Sequence, residues 1–579
     1  MGGFCRQVKA TMATHEKFEA KILVLDDEKL IRLTVCARLK RAGYESVAVG
    51  SVDEAVTILK QHHRSFCAII SDIMMGDMDG FVFRDIVRGI DAAMPFFFMT
   101  ALDPEEGSGF LKRIIEDPMS YYLPKSAGTE VLVKRLQRVV GARRIQQFVE
   151  NQVAEQRKSL TLAAHVQRSM LPVRAMMDDR CFYTTWWRPH ESVSGDLYEA
   201  MPISNDRVLF VMGDIQGHGT NAALVMMAVQ AFLRQTAHAH TRDNHQLLLD
   251  YLANQLQGFF RANFADVSYM TALICIYTPP PVICGEKVTN RGGSIAYITC
   301  GTPDPAAYDL ATGQFLEFNT ERRGGLPIGL MPDTVYTTDD VVQVQLPPNA
   351  VCAAFSDGLY ELSRADASHE RITPQQIRKL SGDLVYEASR VGSVMVVTDK
   401  FMTACTELGF VQNSDDVSIL VFGPRLHLEG IYEATTPLSP TLVDAASQNV
   451  AAWCAREGWP ADLVGRIQLV IEEHLMNVYD HGFDEQQRRK DVVSLRLRRQ
   501  RDLAELTVWD YGRPPPSLKV AAGVTDTAFD LLNNEMSNHG RGRLMVRELC
   551  EGIQRQRLGS LNETIFYIPW DATKKETNT

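Results

Sequence analysis

Residues 207–219 read RVLFVMGDIQGHG, an apolar run that ends in an aspartate and a glycine-rich turn. Such a run, bounded by glycine, is typical of a buried strand. Similar runs follow it, namely YMTALICIY, SIAYITC, VCAAFSDG and VSILVF, with helical stretches between them. Residues 173–425 are therefore predicted to form one α+β domain.

The chain on the N-terminal side of this domain has a different pattern. Short apolar runs, KILVLDD, CAIISDI, FFFMTA and YYLPKS, alternate with amphipathic stretches. This alternation predicts a doubly wound parallel sheet, an α/β domain over residues 20–138. The carboxyl ends of parallel strands share one edge of the sheet, so the polar residues that end these runs are expected to converge. They are Asp26, Asp27, Asp72, Thr100 and Lys125.

Two further segments complete the organisation. The segment from about Glu130 to Leu171 carries apolar residues at spacings of three, four and seven and predicts a long connecting helix, with residues 139–172 as the linker between domains. A narrow apolar stripe needs a partner to bury it, so a coiled coil and a homodimer through this helix are expected. Residues 426–572 are expected to open with two helices, followed by the hairpin-like runs VVSLRLRRQ and LAELTVWD. This pattern predicts a second, smaller α+β sandwich.

Composition restricts the partners and the location. A length of 579 residues corresponds to three or four domains at roughly 100–200 residues each. The net charge of -11 argues against binding to a nucleic-acid backbone. Eleven cysteines, an odd number without a C-x-x-C pair, are typical of a reducing cytoplasm. No apolar stretch approaches the roughly 18 residues of a membrane helix, so a cytoplasmic protein without a membrane partner is predicted.

Four aspartates of the central segment stand at the ends of apolar runs. Asp196 lies in VSGDLY, Asp214 in VMGDIQGHG, Asp357 in FSDGLYE and Asp415 in NSDDVSILVF. Carboxylates beside glycine can approach metal ions closely, and two divalent ions lower the pKa of a bridging water toward neutrality. The hydroxide so formed attacks phosphorus. These residues predict a hydrolytic site with two Mn²⁺ or Mg²⁺ ions, and Asp416 is an alternative ligand beside Asp415.

These motifs resemble the PP2C-type protein serine/threonine phosphatases of the sporulation and stress-response branch. LAAHVQRSMLP is similar to the helix that precedes the domain in that family, and GHGTNAALVM to the helix after the second aspartate. The resemblance implies a β-sandwich enzyme that dephosphorylates a STAS-type anti-sigma-factor antagonist, and it favours Asp415 over Asp416. Thr302 stands where the family often has His, and Ser418 where Thr is common.

The polar cluster of the first domain also has a chemical interpretation. Three clustered carboxylates repel one another unless a cation is present, and Mg²⁺ suits their oxygen ligands. The cluster resembles that of a two-component receiver domain, whose central aspartate is phosphorylated by a cognate histidine kinase or a phosphotransfer protein. The resemblance implies that Asp72 is the phosphoacceptor, with Asp26 and Asp27 as further Mg²⁺ ligands. The switch residues that it implies are Thr100, Tyr122 and Lys125.

The last segment contains the parts of a nucleotide pocket. Glu473 and Asn477 are four residues apart on one predicted helical face, which His481 continues. Asp510 and Gly512 follow a predicted strand in VWDYG. The motif NHGRGRLMV places two glycines before another predicted helix, where bare amides can receive phosphates. These glycines are Gly540 and Gly542.

These boxes resemble the GHKL ATP-binding fold, most closely the anti-sigma-factor serine kinases. The resemblance implies that Asn477 holds the Mg²⁺ of Mg-ATP, that Glu473 is the general base and that Asp510 binds the adenine amine. Gly512, Gly540 and Gly542 would complete the ATP site. Arg513 and Pro514 replace a second glycine. A serine kinase is predicted, and the alternative is a non-catalytic, ATP-dependent module that sequesters a sigma factor or an antagonist.

In this order the three modules resemble a bacterial response regulator of a partner-switching pathway. Phosphatase and kinase would then oppose each other on the same serine of the STAS-type antagonist, with a sigma or anti-sigma factor as a further partner. The hypothesis is that phosphorylation of Asp72 acts on the metal site through the connecting helix and the LAAHVQRSMLP segment.

Overall fold

The computed structural model describes residues 21–571 apart from internal gaps. The gaps are residues 76–77, 102–107, 205, 243–248, 265–267, 281–291, 319–324, 367, 391–392, 426–429, 484–490, 514–539 and 559. The chain divides into two compact units, Met1–Ser159 and Leu160–Thr579.

The first unit is built on a five-stranded parallel sheet of order β2-β1-β3-β6-β7. The strands of the sheet are β1 (Lys21–Leu25), β2 (Glu45–Val49), β3 (Phe66–Asp72), β6 (Phe96–Thr100) and β7 (Ser120–Pro124). A separate small hairpin consists of β4 (Met74–Met75) and β5 (Met78–Asp79). Its helices are α1 (Lys29–Arg41), α2 (Val52–His62), α3 (Gly80–Ile90) and α4 (Ser108–Ile115). Apolar cores lie on both faces of the sheet, which confirms the predicted doubly wound fold.

The connecting helix α5 (Thr129–Met170) has 42 residues. It begins one residue before the predicted start at about Glu130, so the predicted domain boundary at residue 139 falls inside a continuous helix. Leu132 and Leu136 in its first turns are buried against the core of the first unit. The start of α5 therefore belongs to the packing of the α/β domain, and its apolar spacing already serves that core.

The second unit begins with two packed antiparallel sheets. One sheet has the order β15-β14-β17-β20-β9-β8, and the other has the order β10-β11-β12-β13-β16. The first consists of β8 (Ala175–Met177), β9 (Cys181–Arg188), β14 (Ala306–Asp309), β15 (Phe315–Leu316), β17 (Ala350–Phe355) and β20 (Val417–Pro424). The second consists of β10 (Leu197–Ser204), β11 (Arg207–Ile215), β12 (Met270–Thr278), β13 (Ser294–Cys300) and β16 (Val342–Gln345). Phe210 and Phe422 stack between the sheets with ring centroids 4.4 Å apart.

Helices cover both outer faces, which confirms the predicted α+β sandwich. The helices packed on the β11 sheet are α6 (Thr220–Arg242) and α7 (Leu249–Asn263). Those packed on the β20 sheet are α9 (Pro374–Arg390) and α10 (Val397–Glu407), preceded by the short helix α8 (Asp357–Glu361). Smaller elements are β18 (Ser363–Arg364), β19 (Phe410–Gln412) and the 3₁₀ turns His63–Ser65, Thr338–Asp340 and Val394–Val396.

The rest of the second unit is an antiparallel sheet of order β21-β22-β23-β25-β24 with helices on one face. The strands are β21 (Ile431–Pro437), β22 (Val492–Gln500), β23 (Leu503–Asp510), β24 (Gly552–Leu558) and β25 (Leu561–Pro569). The helices are α11 (Pro440–Arg456), α12 (Ala461–Asn477) and α13 (Gly540–Leu549). This arrangement confirms the predicted second α+β sandwich.

One element of this sheet differs from the sequence prediction. The segment was expected to open with two helices, but strand β21 precedes them. Its sequence, IYEATTP, has one buried residue, Glu433, and no apolar alternation. An edge strand paired only with β22 needs little apolar character, so the pattern did not reveal it.

Across the described ranges, none of the helices has both the length and the apolar character needed to cross a bilayer.

Candidate functional site

The four aspartates that are predicted to bind metal lie at or beside the ends of strands and at the start of a helix in the two-sheet domain. Asp214 is near the end of β11, and Asp196 directly precedes β10, which pairs with β11. Asp357 is the first residue of α8, and Asp415 lies two residues before β20. The fold therefore brings four distant segments of the chain to one face of the domain.

Electrostatics show that these carboxylates are neighbours. The pKa of Asp214 is raised to about 8, mainly by burial and in addition by the negative charges of Asp357 and Asp415. Burial also raises the pKa of Asp196 well above its ordinary value, and the charge of Asp214 adds to the increase. Like charges held this close in a buried place need a compensating cation or a proton.

Asp196 has the hydrogen bonding expected of an oriented metal ligand. Its side chain is fully buried, and its Oδ2 accepts a hydrogen bond from Ser418 Oγ at 2.5 Å. Its Oδ1 is also buried and accepts no hydrogen bond from the described residues. A buried carboxylate oxygen without a donor fits a divalent cation, which is the group that the donor set of four carboxylates also suits.

The structure distinguishes the two adjacent aspartates of the DD pair. Both oxygens of Asp416 are occupied by backbone amides, Oδ1 by His190 N at 2.6 Å and Oδ2 by Gly195 N at 2.7 Å. Asp416 therefore fixes the loop that leads into Asp196. Among the described residues, the Asp415 carboxylate accepts a hydrogen bond from the Asp416 amide alone, at 2.8 Å through Oδ1, so its other oxygen could face a metal. Asp415 stays the predicted ligand.

Two glycines allow these segments to approach. A Cβ atom on Gly358 would lie 1.9 Å from the carbonyl oxygen of Asp416, and one on Gly195 would lie 2.9 Å from that of Ile215. Both distances are too short for any side chain. The glycines beside Asp357 and Asp196 are therefore required by backbone packing around the site.

Several polar side chains around this face were not assigned a role by the sequence. Ser418 orients Asp196, and Gln167 in the last turn of α5 is fully buried against the same loop. Gln167 Nε2 donates to Ser194 O at 2.6 Å, and Ser194 N donates to Gln167 Oε1 at 3.0 Å. The QRSMLP motif marked this residue only as part of a resemblance. Burial raises the pKa of both Asp357 and Asp415, and the negative charge of Glu361 adds a smaller increase to each.

Two further polar side chains belong to the same domain. His218 Nδ1 is 3.4 Å from Glu191 Oε1, and the His218 side chain is 58% exposed. Thr302, which stands where the family often has His, donates from Oγ1 to Ala272 O at 3.1 Å. Its hydroxyl therefore supports the strand next to Asp214.

The predicted cluster of the first unit is also assembled. Ligand oxygens of Asp26, Asp27 and Asp72 lie within 4.8 Å of one another, an arrangement that can hold a metal ion. Lys125 Nζ donates to Asp72 Oδ2 at 2.6 Å and lies 3.2 Å from Asp26 Oδ2. Thr100 ends β6 beside β3 and is buried. The five polar strand ends therefore meet at one edge of the sheet.

Burial and neighbouring charges have opposite effects on the pKa values in this cluster. Burial raises the pKa of Asp26, although Lys125 and the Glu28 amide act in the opposite direction. Burial lowers the pKa of Lys125, but Asp72 and Asp26 outweigh it and the net shift is upward.

Tyr122 lies in β7 and accepts a hydrogen bond from Arg135 of α5 through its carbonyl oxygen.

The predicted nucleotide pocket starts at the end of α12. Glu473 and Asn477 lie in its last two turns, and Asn477 Nδ2 donates to Glu473 O at 2.6 Å. His481 does not continue their face as predicted, because the α-helix ends at Asn477 and residues Val478–Gly482 form a π-helical turn. The wider turn shifts His481 away from the four-residue spacing.

Asp510 is the centre of a buried polar network. Its Oδ1 accepts hydrogen bonds from Gly512 N and Asn562 Nδ2, both at 2.8 Å. Asn562 faces Asp510 across the β23–β25 ladder and also donates to Gly512 O at 3.0 Å. Burial raises the pKa of Asp510 despite these donors. Sequence analysis did not identify Asn562, since its distant partner on β23 becomes visible only in the sheet.

The two phosphate-loop glycines lie in a helix and not before it. Helix α13 begins at Gly540, so Gly540 and Gly542 occupy its first turn. The first amides of a helix have no intrahelical acceptor, so both can still face an anion. Pro514 lies outside the described residues.

Three ranges of the chain match known protein families. Residues 22–137 match the response regulator receiver domain, residues 204–425 match Stage II sporulation protein E (SpoIIE), and residues 436–567 match the histidine kinase-like ATPase domain. The chain combines a receiver domain, a SpoIIE-type PP2C domain and a histidine kinase-like ATPase domain. The receiver match contains the Asp72 cluster, and the ATPase match contains Asp510. The SpoIIE match contains Asp214, Asp357 and Asp415, and Asp196 lies just before it.

Curated relatives match over short stretches. The two-component response regulator ORR21 of Oryza sativa subsp. indica is 29% identical over 140 residues, which are 24% of this chain and 19% of the relative. The transcriptional regulatory protein YvrH of Bacillus subtilis (strain 168) is 36% identical over 94 residues, 16% of this chain and 38% of the relative. The chain therefore spans well under half the length of these relatives.

Solved structures also match parts of the chain. The RsbU and RsbW domains of Rv1364c from Mycobacterium tuberculosis share 15% identity, covering 69% of this chain and 95% of that chain, with a TM-score of 0.36. The PP2C domain and regulatory fragment of SpoIIE from Bacillus subtilis share 16% identity, covering 44% and 64%, with a TM-score of 0.33. Chemotaxis protein CheY4 of Vibrio cholerae shares 32% identity, covering 21% and 98%, with a TM-score of 0.19.

Proposed function

We propose that this protein is a metal-dependent protein serine/threonine phosphatase controlled by its receiver domain. The observation that carries the proposal is the convergence of Asp196, Asp214, Asp357 and Asp415 on one face of the domain, where Asp196 is fully buried and Asp357 is exposed. Carboxylates gathered in this way do not favour stability, since burial and the charge of Asp357 raise the pKa of both Asp214 and Asp415. Such a face is suited to divalent cations and a phosphoester.

The residues of the chain have separable tasks in this reaction. The four aspartates would hold two Mn²⁺ or Mg²⁺ ions, which when bound supply a nucleophilic water and neutralise charge on the phosphate. Ser418 keeps one oxygen of Asp196 in a fixed position, and Asp416 holds the loop before it through two backbone amides. These contacts organise the face before substrate arrives.

The substrate and partners belong to the same proposal. The substrate is a phosphorylated STAS-type anti-sigma-factor antagonist, and the phosphodonor of Asp72 is a cognate histidine kinase or phosphotransfer protein. The Asp26, Asp27 and Asp72 cluster, which can hold a metal ion, supports Mg²⁺ binding and phosphoryl transfer to Asp72. The contact of Gln167 with Ser194 supports a signal that arrives through α5.

The ATPase domain supplies a second candidate activity, a serine kinase that acts on the same antagonist. Glu473 and Asn477 at the end of α12 and the Asp510 network are the observations that favour it. In this assignment Glu473 accepts the proton of the substrate serine, and Asn477 and Asp510 bind Mg-ATP. The alternative is an ATP-dependent module that binds a sigma factor or the antagonist without transferring phosphate.

The phosphatase is tested by Asp214→Asn in the full chain. Removing this charge should lower Mn²⁺-dependent kcat/KM on the phosphorylated antagonist and on p-nitrophenyl phosphate by more than about 100-fold. The matched control is Asp206→Asn at the other end of the same strand pair, where the Asp206 side chain is 73% exposed. Equal activity of the two variants would remove the basis of the proposal.

The kinase is tested in the Asp214→Asn background, where product phosphate is not removed. Labelled ATP should transfer phosphate to the unmodified antagonist, and Glu473→Gln should abolish the transfer while nucleotide binding remains. Glu472→Gln is the control, since Glu472 accepts a hydrogen bond from Ser447 at 2.7 Å on a neighbouring face of α12. Binding without labelling in every variant supports the non-catalytic module.

A further inference from the structure

The SpoIIE-type and ATPase domains of the second unit share a buried polar cluster. Tyr511 of the ATPase domain donates from its hydroxyl to Asp399 Oδ2 of α10 at 2.9 Å. Ser560 donates to Asp399 Oδ1 at 3.2 Å. The guanidinium of Arg174 lies over the Tyr511 ring, 4.6 Å from its centroid. One residue of the ATPase domain therefore contacts two charged groups of the other domain.

An apolar patch seals this cluster. Val396, Trp509 and Leu561 form one buried group, with Tyr511 packed against it. Ser393, three residues before Val396, donates to the carboxylate of Glu433 in strand β21. The contact between the domains therefore combines apolar packing with satisfied polar groups, as a permanent interface does.

Asp399 depends on its partners. Its side chain is 2% exposed, and burial raises its pKa although Arg174, Tyr511 and Ser560 favour the charged form. A buried carboxylate that loses a donor is costly, so its partners are constrained to keep their positions. A displacement of the Tyr511 hydroxyl would therefore be resisted by the SpoIIE-type domain.

Tyr511 is joined directly to the nucleotide pocket. It stands between Asp510 and Gly512, whose carboxylate and amide are hydrogen-bonded to each other at 2.8 Å. Gly512 O also accepts from Arg557 Nη1 at 3.2 Å. A ligand that repositions Asp510 must therefore move the residue that carries the Asp399 contact.

On the other side, Asp399 is close to the strands that hold the metal face. Its neighbour Thr398 lies 3.2 Å from Thr184 in β9, hydroxyl to hydroxyl. Strand β9 pairs with β20 at Ser418, and Ser418 donates to Asp196. Packed strands transmit small displacements because protein interiors have little free volume.

From these contacts we infer that nucleotide occupancy of the ATPase domain and catalysis by the SpoIIE-type domain are coupled through Tyr511 and Asp399. This inference rests on the proposed function for the identity of the two activities. Any part of the coupling that acts on binding is reciprocal, whereas an effect on kcat need not be. The ligand is an adenine nucleotide, and no partner protein is required.

The first test uses the full chain with p-nitrophenyl phosphate at fixed, saturating free Mn²⁺. Saturation with a non-hydrolysable ATP analogue should change kcat/KM of the wild type by at least about threefold. Tyr511→Phe keeps the ring and removes the hydroxyl, so the change should disappear. Tyr567→Phe is the control, because its hydroxyl bonds Gln554 within the ATPase domain at 3.2 Å. An unresponsive wild type, or a Tyr511→Phe variant that responds fully, overturns the inference.

The second test reads the coupling from the opposite side. Asp399→Asn, a substitution outside the ATPase domain, should change the dissociation constant of a fluorescent ATP analogue by at least about threefold. Glu387→Gln, on the neighbouring helix, removes a surface pair with Lys400 and should leave the constant unchanged. Identical affinities in both variants, or no binding to the wild type, contradict the coupling.

The outcomes separate the coupling from the proposed function. A nucleotide effect on p-nitrophenyl phosphate without activity on the antagonist rejects the substrate assignment and leaves the coupling in place. Activity on the antagonist that ignores nucleotide in every variant rejects the coupling alone. If p-nitrophenyl phosphate is not hydrolysed, the affinity of Asp399→Asn decides.

Discussion

At the scale of single residues, Asp196 is positioned by a hydroxyl group that is 222 residues away in sequence. Ser418 Oγ binds one oxygen of this carboxylate, so the second oxygen has a defined direction. Groups that orient a metal ligand in this way influence metal affinity although they do not touch the metal.

Ser418→Ala is predicted to weaken Mn²⁺ activation. Loss of the hydroxyl leaves Asp196 free to rotate, and the half-saturating Mn²⁺ concentration should rise about 10-fold to 100-fold. Ser418→Thr retains a hydroxyl and should stay close to the wild type. Titrating Mn²⁺ against p-nitrophenyl phosphate hydrolysis measures both, and similar curves for Ala and Thr would show that the hydrogen bond is not needed.

The sequence was informative about acidic residues and uninformative about their partners. Asp196, Asp214, Asp357 and Asp415 could be predicted because each stands at the end of an apolar run. Ser418 could not, because a serine inside a strand has many ordinary uses and its acceptor lies in a distant segment. The preference for Asp415 came from resemblance, and a physical reason for it appears only in the backbone amides that occupy Asp416.

At the scale of elements, the end of α5 contacts the loop before β10. Gln167 forms two hydrogen bonds with the backbone of Ser194, and Ser194 Oγ accepts from Asp196 N at 3.0 Å. Arg234 of α6 adds a bond to Met170 O, the last residue of α5. A shift or rotation of the helix would therefore act on the backbone that carries Asp196.

Gln167→Glu is predicted to lower phosphatase kcat/KM at least about 10-fold, because a carboxylate would face the Ser194 carbonyl oxygen in place of the amide donor. Gln156→Glu, an exposed position on the same helix, should have little effect. Circular dichroism checks that both variants are folded. Matching activities would show that the Gln167 contact is only structural.

Secondary structure was predictable where apolar periodicity was strong. The parallel strands β1, β3 and β6 are continuous buried runs, and each was identified from sequence. Strand β21 was missed because its sequence lacks apolar alternation and it lies at the edge of a sheet. The π-helical turn after Asn477 was missed because residue spacing alone cannot reveal a change in helical pitch.

At the scale of the whole molecule, one chain combines a receiver domain with a SpoIIE-type domain and a histidine kinase-like ATPase domain. The two clusters of carboxylates have different environments, since the first contains Lys125 as a neutralising partner. Under the proposed function, Asp72 would be modified in the first cluster and metal-dependent hydrolysis would take place at the second.

Asp72→Ala is predicted to uncouple phosphatase output from a phosphodonor. The wild type should change its activity at least about threefold after treatment with acetyl phosphate and removal of the donor. Asp53→Ala, at an exposed position of α2, should respond as the wild type does. Persistent regulation in Asp72→Ala would exclude Asp72 as the control point.

The Val396, Trp509 and Leu561 patch limits how this protein can be divided. Separating the two parts of the second unit would expose a tryptophan and leave Arg174 and Asp399 without Tyr511. A gene that split between the SpoIIE-type and ATPase domains would have to replace these side chains at the same time. The two domains therefore depend on each other for the burial of these side chains.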